Sequence, residues 1–221
     1  MKKEMFYGWF KKYNHFLILL YYVVIIIQFY RLEGSTAPRY YMHSRIDDYI
    51  PFVKEFIIPY ALWFPYIAVT LIFFGFKSKN IFIKYCMHMF IGMTISYIIY
   101  ELYPNGINLR PVLVEQDFFT NLVRYLYQID TPTNSAPSIH VLNSIAVHTA
   151  IVNYKNFKNY RLVRRASFIL AAAIIASTVC LKQHSVIDVF WGALISIVLY
   201  LAVYKVDYRG IFRQERKRLF E

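Results

Sequence analysis

The sequence predicts an all-α, polytopic membrane protein, and two observations support this fold class. Hydrophobic residues make up 58% of the 221 residues and charged residues only 17%, a composition too apolar for a soluble domain of this size. Six apolar stretches also approach the length of about 20 residues with which a helix crosses about 30 Å of hydrocarbon. Because the chain has no internal repeat and no low-complexity linker, we expect one six-helix membrane domain over residues 1–221.

The six predicted spans follow the apolar runs in chain order. The first, second, fourth and fifth contain no Asp, Glu, Lys or Arg, the third contains only Glu101 near its end, and the sixth contains Asp188 and Lys205 near its two ends. The spans are Phe16–Tyr30, Ile57–Phe76, Tyr85–Tyr103, Ser138–Tyr154, Ser167–Leu181 and Val186–Val206.

The distribution of basic residues predicts the orientation of these spans. The chain has 25 Lys and Arg against 13 Asp and Glu, a net charge of +12. If the N-terminus is cytoplasmic, the cytoplasmic segments hold 18 of the 25 cations, which obeys the positive-inside rule with both termini inside. We therefore expect a multi-pass protein of the cell membrane whose surplus charge contacts anionic lipid headgroups, with no nucleic-acid partner. The 18 are Lys2, Lys3, Lys11, Lys12, Lys77, Lys79, Lys84, Lys155, Lys158, Arg161, Arg164, Arg165, Lys205, Arg209, Arg213, Arg216, Lys217 and Arg218.

The predicted outer segment between the third and fourth spans contains a short amphipathic helix. Asp117 is placed to cap it, and the apolar residues that follow form one stripe at helical spacing. This pattern suits both a helix lying on the outer membrane surface and a lid packed on the protein. The stripe consists of Phe118, Phe119, Leu122, Val123, Leu126 and Tyr127.

Two histidines are predicted to meet on the outer face. Spans four and five carry the chain inward and back, so His140, which opens span four, and His184, which precedes span six, arrive on the same side. Asp188 follows His184 by four residues, a spacing that places both on one helix face. Its carboxylate can hold one ring nitrogen and leave the other free, as a nucleophilic or basic histidine requires. An ionised Asp188 within an apolar span would be costly without such a partner.

Three further groups on this side predict a phosphate-sized anion site. Arg110, which Pro111 biases toward an extended backbone, and Lys182 supply positive charge. Ser138 begins a helix whose first N–H groups face outward and favour an anion. For Arg110 or Lys182 taken alone, a snorkelling interfacial charge is the alternative.

Other polar residues have less context. Asp130 and Glu101 either assist proton transfer or are merely solvated. His148, two turns inward of His140, is expected to be a core residue or to hydrogen-bond between helices.

The segments that carry the candidate residues resemble the three signature motifs of the type 2 phosphatidate phosphatase superfamily, which also includes sphingomyelin and inositol phosphorylceramide synthases. These segments are "NLRP" at 108–111, "PSIH" at 137–140 and "HSVID" at 184–188, while "IDDYIPF" at 46–52 is similar to segments of bacterial members. The resemblance implies that His184 attacks phosphorus to give a phosphohistidine, that Asp188 orients it, and that His140 protonates the leaving group. It also implies that Arg110 binds phosphate and that the reaction uses neither a metal ion nor another cofactor.

The chain departs from the family pattern at three positions. Tyr103 stands where the first motif has Lys, Ile139 where the second has Gly, and Thr178 where the third has Arg. Lys182 is the candidate to replace part of the missing charge. The loss of two cations moves the chain toward the branch that contains the lipid phosphotransferases.

Three functions are compatible with these residues. The first is a lipid phosphate phosphatase that cleaves a phosphomonoester or pyrophosphate of a lipid at the outer leaflet. The second is a phosphotransferase that passes a phospho-headgroup to another lipid or a sugar. The third is a non-catalytic lipid-binding or transport protein on the same scaffold. The sequence leaves open which lipid is used and the oligomeric state.

Overall fold

The computed structural model describes residues 12–33 and 37–206, and this part of the chain is mainly helical. Two-residue strands, Tyr40–Tyr41 (β1) and Asn105–Gly106 (β2), pair in parallel. The predicted all-α class is therefore confirmed. In chain order the helices are a 3₁₀ helix Asn14–Leu20, α1 (Tyr21–Leu32), α2 (Arg45–Tyr49), a 3₁₀ turn Lys54–Phe56, α3 (Ile57–Ala61), α4 (Trp63–Lys77), α5 (Lys79–Leu102), α6 (Phe118–Ile129), α7 (Ile139–Asn153), α8 (Tyr160–Cys180) and α9 (Val186–Tyr200), which continues into a π-helical turn, Leu201–Lys205.

Within the described residues, five helical segments are long and apolar enough to cross a membrane. The predicted fourth span is shorter, because α7 has 15 residues and a rise of about 1.5 Å per residue gives it a length of only about 22 Å. The count of six crossings therefore stays a prediction. The five long segments are Asn14–Leu32, Lys54–Lys77, Lys79–Leu102, Tyr160–Cys180 and Val186–Lys205.

Two helices begin earlier than the apolar runs that predict them. Helix α5 begins at Lys79 and α8 at Tyr160, six and seven residues before the predicted Tyr85 and Ser167. The hydroxyl of Ser78 caps α5 by accepting a hydrogen bond from the amide of Ile81. A helix can extend past the apolar run into charged sequence, so hydropathy marks the apolar part and not the helix end.

Helix α7 lies at the centre of the bundle and contacts α4, α5, α8 and α9. Gly92 on α5 permits one of these contacts, because a Cβ there would lie 2.6 Å from a methyl carbon of Leu142. His148 on α7 is 2.9 Å from the hydroxyl of Ser167 on α8, which confirms the expected interhelical hydrogen bond. The helix that begins at the second candidate motif is thus held on several sides.

The amphipathic helix α6 packs against the protein. Asp117 accepts hydrogen bonds from the amides of Phe119 and Thr120, which confirms the predicted cap. Val123 and Leu126 are buried in a cluster with Ile57, Tyr60 and Leu181, as the lid alternative requires. The apolar side chains of Phe118, Leu122, Tyr125 and Ile129 remain exposed.

Lys54 joins this lid to the start of the second long segment. Its ammonium donates to Asp117, at 2.7 Å, and to Glu115. The hydrogen bond from Lys54, together with that from Thr120, holds the pKa of the Asp117 carboxyl well below its usual range.

The orientation of the bundle in the membrane stays a prediction, because many of the cations that support it lie outside the described residues. These are Lys2, Lys3, Lys11, Arg209, Arg213, Arg216, Lys217 and Arg218.

Candidate active site

Asp188 and His184 form the predicted pair at the start of α9. Oδ2 of Asp188 lies 3.2 Å from Nδ1 of His184 and accepts a second bond, at 3.0 Å, from the amide of Ser185. Ser185 is the N-cap of α9, so the same carboxylate completes a capping box and orients the ring. Because a carboxylate only accepts, Nδ1 of His184 is the donor in this bond, and in the neutral ring Nε2 then has the lone pair.

His140 meets the other side of this ring. Its Nδ1 lies 3.4 Å from Nε2 of His184, and both histidines are buried. With the lone pair on Nε2 of His184 as the acceptor, Nδ1 of His140 is the donor. The three predicted catalytic residues therefore form one line, from Asp188 through His184 to His140.

Backbone contacts hold together α7, which carries His140, and α9, which follows His184. The amide of Ser138 donates to the carbonyl of Asp188 at 3.0 Å, and the Ser138 hydroxyl accepts from the amide of Val141. Gly192 on α9 permits the close approach, because a Cβ there would lie 2.5 Å from the carbonyl oxygen of Ser138. Ser138 is fully buried, and its backbone amide connects the start of α7 to α9.

An aromatic wall covers the ring of His140. The ring of Trp63 lies 4.3 Å from it and the ring of Tyr60 lies 4.7 Å from it, measured between centroids. The Tyr60 hydroxyl donates to Oδ2 of Asp130 at 2.6 Å. Of the two acidic residues considered from sequence, Asp130 lies beside the site, whereas Glu101 forms an exposed ion pair with Arg31.

Arg110 reaches the site through Gln183, the neighbour of His184 in the chain. Its guanidinium donates to the side chain of Gln183 and to the backbone carbonyls of Tyr127, at 3.1 Å, and Asp130, at 2.5 Å. The guanidinium also lies 4.3 Å from the centre of the Tyr127 ring. Burial lowers the pKa of Arg110 and raises that of the Tyr127 hydroxyl to about 12. These contacts hold the guanidinium of Arg110 on protein groups, and its binding of phosphate stays a prediction.

All three motif segments that resemble the family thus meet in this region of the bundle. A family model for the PAP2 superfamily matches residues 68–211, which is more than half of the chain and includes the three segments. The chain belongs to the PAP2 superfamily. No curated protein and no solved structure matches it.

The three departures from the PAP2 motifs occupy ordinary structural positions. The ring of Tyr103 stacks on Tyr40, with centroids 4.0 Å apart, at the exposed end of α5. Ile139 packs against the main hydrophobic cluster, which accounts for a large apolar residue where the family has Gly. The carbonyl of Thr178 accepts from the amides of Gln183 and His184, so this position shapes the turn that presents the nucleophile candidate.

The ammonium of Lys182 contacts backbone oxygens of another segment. Nζ donates to the carbonyls of Asp47, at 2.7 Å, and Ile50, at 2.6 Å. The positive φ of Lys182, 52°, belongs to the tight turn between α8 and α9. Lys182 therefore ties the "IDDYIPF" segment to this turn, and its binding of phosphate stays a prediction.

Asp47 is a site residue that sequence reasoning missed. Its buried carboxylate accepts from the Ser185 hydroxyl at 2.6 Å and from the amide of Val186 at 2.9 Å. It also accepts from the amide of Ser44 at 2.7 Å, in the capping box of α2. The Ser-x-x-Asp spacing was a local signal for that cap, but the bonds to α9 have no sequence signature.

Asn105 joins the segments of the first and second motifs. Its Oδ1 accepts from the amide of Ala136 at 2.7 Å, while its Nδ2 donates to the carbonyl of Ala136 at 2.8 Å. The amide pair thus fixes the chain just before Ser138.

Within residues 12–33 and 37–206, no group of three or more His, Cys, Asp or Glu side chains is placed to hold a metal ion.

Proposed function

We propose that this protein is a lipid phosphate phosphatase that works through a phosphohistidine on His184. Superfamily membership and the long apolar helices fit a membrane lipid phosphatase or a related phosphotransferase. The line of Asp188, His184 and His140 carries the finer proposal, because it leaves one nucleophilic nitrogen beside one proton donor. The substrate is a lipid that bears a phosphomonoester or a pyrophosphate.

In the first half-reaction, Nε2 of His184 attacks phosphorus. The lone pair forms the P–N bond as the P–O bond to the lipid breaks, and the departing lipid oxygen takes a proton from His140, which acts as an imidazolium and becomes a neutral imidazole. Asp188 stabilises the positive charge that develops on the His184 ring, since it holds Nδ1–H. A positioned acid of this kind contributes about 10²–10⁴-fold in rate.

In the second half-reaction, water attacks the phosphohistidine. His140, now neutral, takes a proton from the water, and the P–N bond breaks with its electrons returning to Nε2 of His184. Arg110 is the proposed anchor of the phosphate oxygens, with Lys182 and the Ser138 helix start as further candidates. Two of the three N–H groups of the Lys182 ammonium bond backbone carbonyls, which leaves one for a phosphate oxygen.

The decisive test compares His184→Ala with His43→Ala in purified protein. His43 is half exposed and pairs with Asp48, so it is a matched histidine away from the pair. We expect phosphate release from lipid phosphates, and an acid-labile, base-stable phosphoprotein, in wild type and His43→Ala but not in His184→Ala. Full hydrolysis by His184→Ala would contradict the mechanism. The absence of a phosphoprotein and of turnover in wild type would favour the non-catalytic binding or transport protein.

The replacement of two family cations by Tyr103 and Thr178 favours a second candidate, a lipid phosphotransferase. Its first half-reaction is the same, but a lipid or sugar hydroxyl replaces water in the second. Labelled donor lipid incubated with candidate acceptors separates the two functions. Free phosphate as the sole labelled product excludes transfer, whereas a labelled acceptor excludes simple hydrolysis.

The proposed location of the site is the outer face of the cell membrane, with both termini inside. Val112, which is 88% exposed in the segment before α6, and Asn156, exposed in the loop after α7, are suitable positions for single cysteines. In intact cells we expect an impermeant thiol reagent to label Val112→Cys but not Asn156→Cys. The reverse pattern would invert the topology.

A further inference from the structure

Helix α6 has three different faces. One face packs on the protein, because Val123 and Leu126 are buried. A second face is polar and a third is apolar, and the apolar one is exposed as well. The polar face consists of Asn121, Arg124 and Gln128, and the exposed apolar face, which we call the stripe, consists of Phe118, Leu122, Tyr125 and Ile129.

The stripe is narrow and runs the whole length of α6. At about 100° per residue, its four members lie within about 60° of one another around the helix. Their exposed fraction ranges from 38% for Leu122 to 71% for Phe118. A helix that only covers protein has polar residues on the rest of its surface, so an exposed apolar stripe indicates a second contact surface.

Two hydrogen bonds fix α6 beside the start of the long apolar segment Lys54–Lys77. The ammonium of Lys54 donates to Asp117, the N-cap of α6, at 2.7 Å. The hydroxyl of Tyr60 donates to Asp130, the residue that follows α6, at 2.6 Å. The helix therefore runs alongside residues 54–60 of a segment that is long and apolar enough to cross a membrane.

The stripe therefore lies next to a segment whose own exposed face is apolar. Ile58 and Leu62 of that segment are exposed, and α3, to which Ile58 belongs, contacts α6. In a chain that crosses a membrane, such a face lies against lipid. The charges at the start of α6 pair with one another, since Lys54 contacts Asp117 and Glu115, so this surface offers apolar area and not charge.

We propose that the stripe of α6 rests in the surface of a lipid bilayer, while its polar face meets water and its buried face stays on the protein. A helix at such an interface places apolar side chains among the headgroups and the upper acyl chains. Tyr125, with an apolar ring and a polar hydroxyl, suits this depth. Because the stripe carries no charge, zwitterionic lipid is sufficient. The inference does not depend on the proposed chemistry.

The position of α6 bears on the candidate site through Arg110. The carbonyls of Tyr127 and Asp130, at the end of α6, accept hydrogen bonds from the guanidinium at 3.1 Å and 2.5 Å. The Tyr127 hydroxyl donates to the carbonyl of Leu181 at 2.7 Å. Lipid against the stripe thus supports the helix end that holds Arg110.

Spin labels on single cysteines test where each face lies. The full-length chain carries Cys180→Ala, since Cys86 is fully buried, and is reconstituted in phosphatidylcholine vesicles. Power-saturation EPR measures collisions of each label with oxygen, which concentrates in lipid, and with a nickel chelate, which stays in water. The label positions are Tyr125→Cys and Ile129→Cys on the stripe, Asn121→Cys and Gln128→Cys on the polar face, Ile58→Cys as the lipid reference and Asn156→Cys, in the loop after α7, as the water reference.

The ratio of oxygen to nickel collisions decides between the possible occupants. We expect the stripe labels to match Ile58→Cys and the polar-face labels to match Asn156→Cys. Ratios typical of water on the stripe would overturn the proposal. Stripe labels shielded from both collision partners would also overturn it, because protein then covers the stripe, and dipolar broadening between labels would identify that protein as a second copy of this chain.

Hydrogen exchange in the same vesicles measures what the lipid contact contributes. Tyr125→Ser removes a ring from the stripe, and Gln128→Ser is the matched control on the polar face of the same half of α6. If lipid covers the ring, Tyr125→Ser should raise exchange of the α6 amides by about fivefold or more. Gln128→Ser should raise it by about twofold at most, through helix propensity alone. Equal exchange in the two variants would overturn the lipid contact.

Discussion

Nε2 of His184 and Nδ1 of His140 lie 3.4 Å apart although 44 residues separate them in the chain. This distance is that of a hydrogen bond and leaves no space for a phosphorus atom between the two nitrogens. In the proposed mechanism, a phosphate that reaches Nε2 takes the place of His140, whose N–H is then free to turn to the leaving oxygen. The contact between the two rings thus keeps the proposed proton donor next to the proposed nucleophile.

Removing His140 should make the reaction sensitive to its leaving group. A lipid alkoxide is a poor leaving group and needs the proton, whereas p-nitrophenolate leaves without one. We expect His140→Ala to lower phosphate release from a lipid monophosphate by about 10²–10⁴-fold, and release from p-nitrophenyl phosphate by far less. Steady-state kinetics on both substrates checks this. An equal loss on both would assign His140 to binding or structure.

Asp47 should control the position of His184 without touching substrate. Asp47→Asn removes the charge that accepts three hydrogen bonds, so the start of α9 loses its fixed place and the free energy of unfolding falls by about 1–3 kcal/mol. We expect kcat to fall about tenfold or more with little change in KM for a lipid phosphate. Asp48→Asn is the matched control, because the carboxylate of Asp48, the next residue in the chain, is 60% exposed and pairs with His43.

The contrast between Asp188 and Asp47 explains how much of the site could be predicted. Asp188 was found because its partner His184 is four residues away, a spacing visible in the sequence, although His184 lies in the turn before α9. Asp47 and Ser185 are 138 residues apart, and only the packing of α2 against the start of α9 brings them together. Trp63, in an apolar run, carries no signal that it would lie on His140. Local periodicity thus predicts the pair but not the groups that hold and cover it.

The position of α7 and the contacts of Lys182 also could not be predicted from local sequence. Hydropathy identifies α7 as apolar. It does not show that this helix has only 15 residues, begins at a Ser138 cap and lies at the centre of the bundle. The sequence shows that Lys182 is charged but not which groups it contacts. Lys182 has a positive φ in a tight turn, and its ammonium bonds the carbonyls of Asp47 and Ile50. The fold class followed from composition because nearly all apolar residues had to be in helices that a membrane can accommodate.

Arg110 should be sensitive to the shape of its side chain as well as to its charge. Its guanidinium bonds three acceptors at once and stacks on Tyr127, which an ammonium cannot reproduce. We expect Arg110→Lys to lower kcat/KM for a lipid phosphate by about tenfold to a hundredfold. Arg124→Lys is the matched control, since Arg124 also donates to backbone carbonyls but on the outer side of α6. Comparable losses in the two variants would reduce Arg110 to a structural role.

The anchoring of the lid α6 by Asp117 and Lys54 should be insensitive to pH in the ordinary range. The hydrogen bond from Lys54, and then that from Thr120, lowers the pKa of Asp117. A carboxylate whose pKa is lowered by folding stabilises the folded state above its unfolded pKa of about 3.9, and that stabilisation is lost as the pH falls through the folded value. Hydrogen exchange of α6 amides, corrected for intrinsic rates, should therefore match at pH 5 and pH 7 (about one and three units above that unfolded value).

Asp117→Asn imitates protonation at neutral pH and completes this test. The amide still caps α6, but the charge that Lys54 contacts is gone. We expect exchange of the α6 amides at neutral pH to rise by at most about fivefold, the effect typical of an exposed ion pair. Glu101→Gln, which removes the exposed partner of Arg31, should leave α6 at the wild-type rate. Unchanged exchange in Asp117→Asn would mean that the apolar contacts of Val123 and Leu126 hold the lid by themselves.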